Sequence, residues 1–522
     1  MTSTIIGFLA FTLFVILYSW YRLKNEALSS EKGYFLAGKS LTGPLIAGSM
    51  LLTNISTEHL IGMNGNAYKN GILVMAWEVT SAVALVIAAI FFIPKYIKMD
   101  LTTIPQYLEQ RFDSATRTMV ALFLMVSFVV TLLPIVLYTG AINIESIFDL
   151  SVQFNVSKEQ GLWYTVIIIG VIGSAYAIFG GLKAVAFSDF LNGIGLFSGG
   201  LLITYLVLKE IGAGDIFDGM KEVYNSHPEK FNMIGDANSV LPFSTLFTGL
   251  MINQLYFWGM NQTIIQRAFG AKNLAEAQKG LIYTGVLKLF VPLIIVIPGI
   301  LAFHIYGDQY YDNQDLIYPM LVKRVLPTGL TGLFAAVILG AVLSTFNSVL
   351  NSASTIFCFG LYKKYINKTA TQEQTVRVGK WTALILAAMA IILAPMVANA
   401  PEGLYQLLQE LNGIFFIPIA SIMFAGLFVK SINANGAKVG LAFGLIFYLL
   451  TTFVIDTGIH FVHIWGIEFV LNFLVMIFVS KLMPLPEVKE SELNEGGEPW
   501  KWVKLAGTIL CILTLLVYIM LS

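Results

Sequence analysis

Long apolar runs alternate with short polar segments along the chain, and this pattern predicts an all-α integral membrane protein. A helix needs about 20 mostly apolar residues to cross the hydrocarbon layer of a bilayer. Such runs recur over the whole length of 522 residues, with no soluble domain between them. The fourteen predicted spans are 2–21, 41–66, 72–94, 118–145, 161–180, 184–208, 241–263, 280–306, 329–360, 381–399, 403–428, 439–455, 460–480 and 505–521.

The composition agrees with this pattern. Hydrophobic residues make up 57% of the chain and charged residues only 12%, and the mean hydropathy is +0.77. Soluble domains carry about a quarter charged residues, so a water-soluble enzyme is disfavoured. The 31 basic and 31 acidic residues cancel, which leaves no basic surface for nucleic acid. Cys358 and Cys511 lie in apolar runs without metal or disulfide spacing. We expect no cofactor, and the sequence does not fix an oligomeric state.

Basic residues test the number of spans independently, because cytoplasmic loops hold the excess of Lys and Arg. With fourteen spans, 23 basic residues, including Arg267, fall in loops on one side and seven on the other, while Lys288 lies inside a span. This split predicts a protein of the cell membrane with both termini extracytoplasmic and the linker 481–504 inside. The first apolar run has no basic residues before it and is expected to be a retained helix, not a signal peptide.

The second predicted span carries polar residues at its centre. Ionisable groups inside a membrane are costly and indicate either a substrate path or a packed polar network. The run Thr53–His59, TNISTEH, contains few strong helix formers. We therefore predict that this helix is broken and that its freed carbonyl oxygens coordinate a cation such as sodium. The alternative is an unbroken helix whose polar residues face its neighbours.

The ninth predicted span carries a polar stripe with helical spacing. Its members fall at positions i, i+3, i+4, i+7, i+8 and i+11, which is one face of a helix. They are Ser344, Asn347, Ser348, Asn351, Ser352 and Thr355. Small polar residues also permit close helix packing, and this alternative fits Asn351 and Ser352 best. Ser344 and the adjacent Thr345 are expected to bind a cation opposite the opened backbone of the second span.

Other predicted spans contain further polar side chains. They are Glu78 and Ser81 in the third span, Ser188, Asp189 and Asn192 in the sixth, Lys288 in the eighth, and Gln406, Gln409 and Glu410 in the eleventh. Asp189 is expected to hold a cation or a proton, or else to form a structural salt bridge. The Lys, Glu, Gln and His side chains together suit a polyol, because each sugar hydroxyl needs both donors and acceptors. The run Tyr256-Phe257-Trp258 offers flat faces for a sugar ring, although such a triplet is also ordinary core packing.

Seven short motifs, in order along the chain, resemble those of the sodium/solute symporter family, and most of all its sodium/glucose and sodium/galactose branch. The resemblance runs from about Tyr34 to Val429. Its motifs are YFLAGKSL (34–41), NISTEHLIGM (54–63), GGLKAVAFSD (180–189), YFWGMNQTIIQR (256–267), AEAQKG (275–280), LKLFVP (287–292) and NSASTIF (351–357).

The resemblance implies a LeuT-like architecture with two inverted repeats of five helices. The ten-helix core would occupy 41–429, after an N-terminal helix and cytoplasmic loop (1–40) and before three peripheral helices (430–522). It also implies that sodium, the co-transported ligand, binds the carbonyl groups of Leu52, Ile55 and Ala341 and the hydroxyls of Ser344 and Thr345. A second sodium site in some relatives corresponds to Asp189 and Ser348, with Asn347 in place of a small residue.

The sugar site of relatives corresponds to a set of polar and aromatic residues in five of the predicted spans. They are Asn54, His59, Glu78, Ser81, Gln254, Phe257, Trp258, Lys288 and Gln409. His59 is similar to the animal glucose carriers, whereas Gln254 replaces an Asn of the bacterial galactose carrier. Phe257 replaces a Tyr that stacks on the sugar, so the ring face is kept and the hydroxyl is lost. The sequence thus favours sodium-coupled symport of a neutral sugar.

Three other functions are weighed against this interpretation. A carboxylate such as sialic acid would require a basic residue in the cavity, and the fourth span contains no Arg or Lys. Neutral polyols such as myo-inositol remain an open alternative. A channel or a solute receptor is the alternative from another class, but the polar residues converge at mid-membrane and do not form a continuous pore.

Overall fold

The computed structural model describes residues 2–24, 29–399, 404–485 and 497–522. Within these ranges the chain is helical, and the β-structure is confined to an isolated bridge between Leu41 and Ala271. Residues 486–496, in the predicted cytoplasmic linker, lie outside the described residues.

The first half of the chain forms six helical segments. They are α1 (Thr2–Leu23), α2a (Gly43–Asn54) with α2b (58–70), α3 (71–98), α4 (Ser114–Phe148), α5 (158–180) and α6 (182–211). Short helices lie between them at Glu31–Leu36, Ile104–Arg111 and Leu150–Gln153. The bend between α5 and α6 is made at Gly181, whose φ of +57° is open to glycine and strained for other residues.

The second half forms eight more segments. They are α7a (Gly249–Gly259) with α7b (Gln262–Phe269), α8 (Leu274–Tyr306), α9 (Thr328–Ile366), α10 (Gln372–Val397), α11 (Leu404–Phe428), α12 (Ala434–Phe453), α13 (Phe461–Leu482) and α14 (Val503–Met520). The loop between α6 and α7a contains the helix Ile216–Ser226, and the loop before α9 contains Ile317–Val325.

Eleven helices in the described part of the chain are long and apolar enough to cross a membrane, and α5 is not among them. Each of the fourteen predicted spans contains helix among the described residues, but not all of them are continuous. The helices α2 and α7 are broken, and α2a, α7a and α7b have 12, 11 and 8 residues, too few to cross a bilayer singly. The helices α2b and α3 meet at Gly71, whose φ of +74° and ψ of −154° are not helical. The break in α7, after Gly259, was not predicted from the sequence.

Small residues hold α2a tightly in the interior. A Cβ atom on Gly48 would lie 2.9 Å from the ring of Phe190 in α6. On the opposite side, a Cβ atom on Gly280 in α8 would lie 2.4 Å from a side-chain carbon of Ile46. Such close approach of backbones is typical of helix packing in membranes. The helix that carries the predicted break is therefore clamped between α6 and α8, with α9 also in contact with it.

Candidate functional site

The second membrane helix is broken where the sequence predicts it. Helix α2a ends at Asn54, and Ile55 has the non-helical angles φ −81° and ψ 83°. Helical structure resumes at Glu58 as a short π-helical stretch before Asn64. Ser and Thr compete for backbone hydrogen bonds, and β-branched residues are weak helix formers, so this stretch favours an interruption. The break leaves main-chain carbonyl groups of α2a without the usual helical partners.

The polar stripe of α9 faces the end of α2a and does not face lipid. The hydroxyl of Thr345 donates a hydrogen bond of 2.9 Å to the carbonyl oxygen of Thr53. The Ser344 hydroxyl lies 3.5 Å from that of Thr53. Both α9 residues are buried, as are Leu52, Ile55 and Ala341. Ser344 and Thr345 thus face the broken end of α2a, and the other three residues named for the sodium site are buried.

A cavity of about 60 Å³ lies beside this break. Eight of the nine predicted sugar-site residues line it, and they come from α2, α3, α7a, α8 and α11. They are Asn54, His59, Glu78, Gln254, Phe257, Trp258, Lys288 and Gln409. Ser81 is the exception, because its hydroxyl is turned to its own helix and donates to the carbonyl oxygen of Glu78. Thr345 also lines the cavity, so the predicted sodium and sugar sites adjoin.

An ion-pair network forms one wall of the cavity. The ammonium group of Lys288 contacts the Glu78 carboxylate and lies 2.5 Å from the amide oxygen of Asn54. The ring of His59 lies 3.5 Å from Glu78 Oε1 on the other side. Lys288 and Glu78 are each only 1% exposed. A compact group of fixed donors and acceptors in a buried site suits a ligand that presents several hydroxyl groups.

Phe257 and Trp258 form an aromatic wall of the cavity, and the amide side chain of Gln254 holds this wall in place. Gln254 donates from Nε2 to the carbonyl oxygen of Trp77 at 2.8 Å, which links α7a to α3. Its Oε1 atom accepts a hydrogen bond of 3.1 Å from the indole of Trp258. The ring of Phe257 lies edge-on to that of Trp258, with 5.2 Å between centroids and 75° between the ring planes. Gln254 therefore orients the aromatic wall as well as lining the cavity.

The cavity also contains residues that the sequence analysis did not name as site residues. Glu58, Asn253, Tyr405 and Asn412 line it. The ring of Tyr405 packs edge-on against His59 at 5.5 Å and against Trp77 at 6.2 Å. Asn253 precedes Phe257 by one helical turn, and Asn412 follows Gln409 by three residues. This spacing was the available signal, because residues three or four apart share a helix face.

The residues implied as a second sodium site are also buried together, but an arginine is among them. Asp189 Oδ2 accepts a hydrogen bond of 2.5 Å from Ser49 and lies 3.7 Å from Nη2 of Arg267. The guanidinium of Arg267 also contacts the hydroxyl of Ser348. The assignment of Arg267 to a cytoplasmic loop is therefore wrong. The break in α7 turns α7b inward, and the side chain of Arg267 is 0% exposed.

A second, much larger cavity of about 1680 Å³ lies at one end of the helices. Its walls include the end of α2b, the end of α4, and the loop between α8 and α9. Its charged lining residues are Lys69, Glu145, Asp149, Lys158, Glu159, Asp312 and Asp315, which is an excess of acidic groups. Gln406 and His460 also line it. This cavity is wide, in contrast to the small one beside the break in α2.

At the other end of α4, ion pairs tie the helices together. Arg117 in α4 contacts Glu109 and the carbonyl oxygen of Phe359 in α9. Lys364, at the end of α9, also contacts Glu109. Because Arg117 and Glu145 lie near opposite ends of α4, these contacts are on the side away from the large cavity. We call Glu109, Arg117 and Lys364 the closing cluster.

An all-helical chain that spans a membrane many times, with a broken helix beside a buried polar cavity, is of the class of ion-coupled membrane transporters. The chain belongs to the sodium:solute symporter family, whose model matches residues 34–444. It is therefore a multi-pass membrane protein that couples the movement of a solute to sodium, and it is not an enzyme. Symport by a carrier is favoured over a channel or a receptor by this membership.

Individual relatives agree with the family assignment. The chain is 41% identical over 505 residues to the uncharacterized symporter YidK of Escherichia coli (strain K12), covering 96% of this chain and 88% of that protein. It is 33% identical over 454 residues to the sodium/glucose cotransporter of Vibrio parahaemolyticus, covering 83% of this chain and 81% of that protein.

A solved structure supports the fold. The substrate-bound outward-open state of a Na⁺-coupled sialic acid symporter matches with a TM-score of 0.77 at 20% identity, covering 92% of this chain and 98% of that one. The LeuT-like architecture expected from the sequence is thus supported at the level of the overall fold.

Proposed function

We propose that this symporter carries a neutral sugar or a closely related polyol into the cell, driven by sodium. The observation that carries this proposal is the network of Lys288, Glu78, Asn54 and His59 in a cavity that also contains the Thr345 hydroxyl. The groups proposed to bind sugar and the Thr345 hydroxyl proposed to bind sodium therefore line the same cavity. The 33% identity to a sodium/glucose cotransporter supports the same substrate class.

The charge balance of the cavity favours a neutral cargo over an anionic one. Lys288 is the one basic residue among the described residues that line the cavity, apart from His59, and Glu78 neutralises it. Glu58 adds a further carboxyl group to the lining. An anion such as sialic acid would meet no uncompensated cation there, and burying an unpaired charge is costly. Myo-inositol has the same kind of hydroxyl groups as a hexose and remains the second candidate.

Sodium is proposed to bind where α2a ends. The ligands would be the carbonyl groups of Leu52, Ile55 and Ala341 and the hydroxyls of Ser344 and Thr345. The contact between Thr345 and Thr53 supports this arrangement, because it brings α9 against the broken end of α2a. An ion there would hold the two helices together, and the adjoining sugar residues Asn54 and His59 would be positioned by the same backbone.

The proposed topology has fourteen membrane crossings with both termini outside. The ten-helix core, 41–429, would comprise two inverted repeats, α2–α6 and α7–α11, flanked by the N-terminal region 1–40 and the C-terminal helices of 430–522. The first helix of each proposed repeat is broken, α2 at Ile55 and α7 at Met260. Equivalent breaks in equivalent helices support a repeat, and discontinuous helices are typical of transporter binding sites.

The two cavities support alternating access with the structure open to the outside. The large cavity lies on the side that the distribution of Lys and Arg places outside, and the closing cluster seals the other side. A cavity of 60 Å³ has room for about two water molecules, so a sugar requires the site to widen. We propose that sodium and sugar enter from the large cavity and leave after the closing cluster separates.

The driving force is sufficient for accumulation. Moving one positive charge through about 100 mV supplies roughly 2.3 kcal/mol. A tenfold sodium gradient adds about 1.4 kcal/mol. Together they would concentrate a neutral solute on the order of several hundred-fold for one sodium ion per solute.

Uptake into proteoliposomes tests the proposal. Radiolabelled galactose, glucose and myo-inositol are supplied with an inward sodium gradient, and again with potassium in place of sodium. We expect sodium-dependent accumulation of at least one of them and none of labelled sialic acid. Gln409→Ala, which changes the cavity wall without breaking the Lys288–Glu78 pair and leaves Ser344 and Thr345 intact, should reduce it strongly. Equal uptake of all three solutes in sodium and potassium contradicts the proposal.

A further inference from the structure

A second group of buried polar side chains lies outside the solute cavity, where α11, α12 and α13 meet. Glu468 and Asn472 are one helical turn apart in α13, and both are 0% exposed. The Nδ2 atom of Asn472 donates to the hydroxyl of Ser421 in α11 at 3.1 Å and to Glu468 Oε1 at 3.4 Å. We call Ser421, Glu468 and Asn472 the α13 polar group. No step of the proposed transport uses it.

Helix α12 approaches the α13 polar group through a glycine. A Cβ atom on Gly444 would lie 2.6 Å from Nδ2 and 2.8 Å from Oδ1 of Asn472. It would also lie 2.8 Å from Glu468 Oε1. Small residues permit such close packing of helices in membranes. The polar atoms of Glu468 and Asn472 therefore converge on the backbone of Gly444 and are enclosed by protein.

Two acceptor atoms of the α13 polar group receive no hydrogen bond. Glu468 Oε2 and Asn472 Oδ1 have no partner among the described residues. The amide of Asn472 already donates to Ser421 and Glu468, and the Ser421 hydroxyl donates to the carbonyl oxygen of Ile417 at 2.9 Å. The indole of Trp465, one turn before Glu468, makes no hydrogen bond with either acceptor. The group therefore lacks a donor.

The surrounding helices provide no cation for an ionised Glu468, which forms no ion pair among the described residues. Lys438 in α12 is paired with Asp113, and Lys481 is exposed at the end of α13. His463 in α13 contacts hydroxyl groups through both ring nitrogens. The other titratable residues of α7a, α11, α12 and α13 are Tyr256, Tyr405, Glu410 and Tyr448. An unpaired carboxylate in the membrane interior is strongly unfavourable.

We propose that Glu468 is a proton-binding site, whose carboxyl group carries a proton in the folded protein at neutral pH and donates a hydrogen bond within the α13 polar group. A protonated carboxyl group has one O–H donor and no charge. Addition of one proton from water to Glu468 thus removes the buried charge and supplies the missing donor. The proton holds α13 against α11 and α12. Glu468 binds it independently of the solute, because Glu468 does not line the solute cavity.

Infrared spectroscopy of the purified protein in nanodiscs tests this proposal, because protonated and ionised carboxyl groups absorb at different frequencies. The wild type is compared at neutral pH with Glu468→Gln, which has the shape of the protonated acid and no charge. We expect the variant to lose one protonated-carboxyl band and to keep its carboxylate bands. Glu159→Gln, at an exposed position, is the control and should lose carboxylate intensity only. Loss of carboxylate intensity in Glu468→Gln overturns the proposal.

Melting curves test the structural role of the proton. As the pH is raised until the Glu468 band disappears, the wild type should lose stability relative to Glu468→Gln, because the folded wild type releases a proton that the variant never binds. An equal decline in both proteins overturns this role. No solute is present in either experiment, so failure of the sugar proposal would leave both results unchanged.

Spectra in sodium chloride and in choline chloride distinguish a bound proton from a bound sodium ion. The Glu468 band should be the same in both salts, and a band that appears only in choline chloride overturns the proposal. If Glu468→Gln does not fold, Asn472→Leu decides, because it removes the hydrogen bonds of Asn472 within the α13 polar group. This variant should shift the protonated-carboxyl band, and an unshifted band overturns the proposal.

Discussion

The ammonium group of Lys288 in α8 lies between the carboxylate of Glu78 in α3 and the amide oxygen of Asn54 at the end of α2a, 2.5 Å from the latter. One side chain thus joins the broken helix to two of its neighbours. Asn54 immediately precedes the non-helical Ile55, so the hydrogen bond from Lys288 lies at the point where the main chain opens. The contacts of Lys288 with Glu78 and Asn54 thus hold α2a, α3 and α8 together and also form part of the cavity lining.

Breaking this pair should destabilise the protein strongly. Lys288→Met leaves Glu78 buried without its partner, and such changes cost about 3–5 kcal/mol. We expect a large drop in the apparent melting temperature in detergent. The double variant Lys288→Met with Glu78→Gln leaves no buried charge and should recover part of the loss, while uptake stays abolished in both. Equal melting temperatures for the single and double variants would show that the pair is not coupled.

The hydroxyl groups of Ser344 and Thr345 in α9 should determine the apparent affinity for sodium and not the apparent affinity for the solute. Thr345→Val keeps the side-chain shape and removes the hydroxyl that bonds to Thr53, as well as the proposed sodium ligand. We expect the sodium concentration for half-maximal uptake to rise about tenfold, which corresponds to roughly 1.4 kcal/mol, and Ser344→Ala to act in the same direction. Gln409→Ala, on the cavity wall, should instead raise the half-saturating solute concentration. Identical effects of the α9 and Gln409 variants would refute the assignment of sites.

Gly181 should be intolerant of any side chain. Its φ of +57° and ψ of −171° lie in a region that is accessible almost exclusively to glycine. A Cβ atom there would also lie 2.7 Å from the carbonyl oxygen of Tyr34. Gly181→Ala is expected to cost about 1–3 kcal/mol from backbone strain and to lower the melting temperature. Gly329→Ala is the control, because a Cβ atom at Gly329 meets nothing within 4 Å, and a matching loss there would contradict the explanation.

The sequence was sufficient to place the helices and the break in α2. Long apolar runs predict the membrane helices directly. The run Thr53–His59 predicts the break because it is polar and contains few strong helix formers. The break in α7 has no such marker, since the preceding residues Tyr256, Phe257 and Trp258 are apolar and fit a continuous span. Its consequence, the inward turn of α7b, could not be read from a hydropathy pattern.

Eight of the nine residues named for the sugar site line the cavity, and the lining residues that were not named were missed for a common reason. Glu58 and Tyr405 reach the cavity because α2b and α11 face each other, a relation between distant segments that spacing within one helix does not report. Arg267 was assigned to a loop because it follows the predicted span 241–263. The packing of α6 against α2a and α9 places Asp189 next to Arg267, and the sequence alone does not show this contact.

The closing cluster should make stability fall at acidic pH. Glu109 lies outside the membrane spans, in the helix Ile104–Arg111. Its partial burial acts to raise the pKa, but hydrogen bonds from Lys364, Ser114 and Arg117 outweigh this and lower the pKa of Glu109 to about 2. An unperturbed Glu titrates near about 4.3. Because the pKa is lower in the folded state, Glu109 stabilises the protein above about pH 4, and this contribution is lost as the pH falls towards 2.

Melting curves between pH 6 and pH 2.5 measure this dependence. The wild type should lose stability steadily below about pH 4, whereas Glu109→Gln should start from a lower melting temperature and change less over the same range. Glu159→Gln, at an exposed position, should follow the wild type. Because the cluster joins α4 to α9 on the side proposed to open inward, Glu109→Gln should also favour the inward-facing state and raise the leak of loaded solute from proteoliposomes. A Glu109→Gln curve parallel to that of the wild type at every pH would exclude Glu109 as the titrating group.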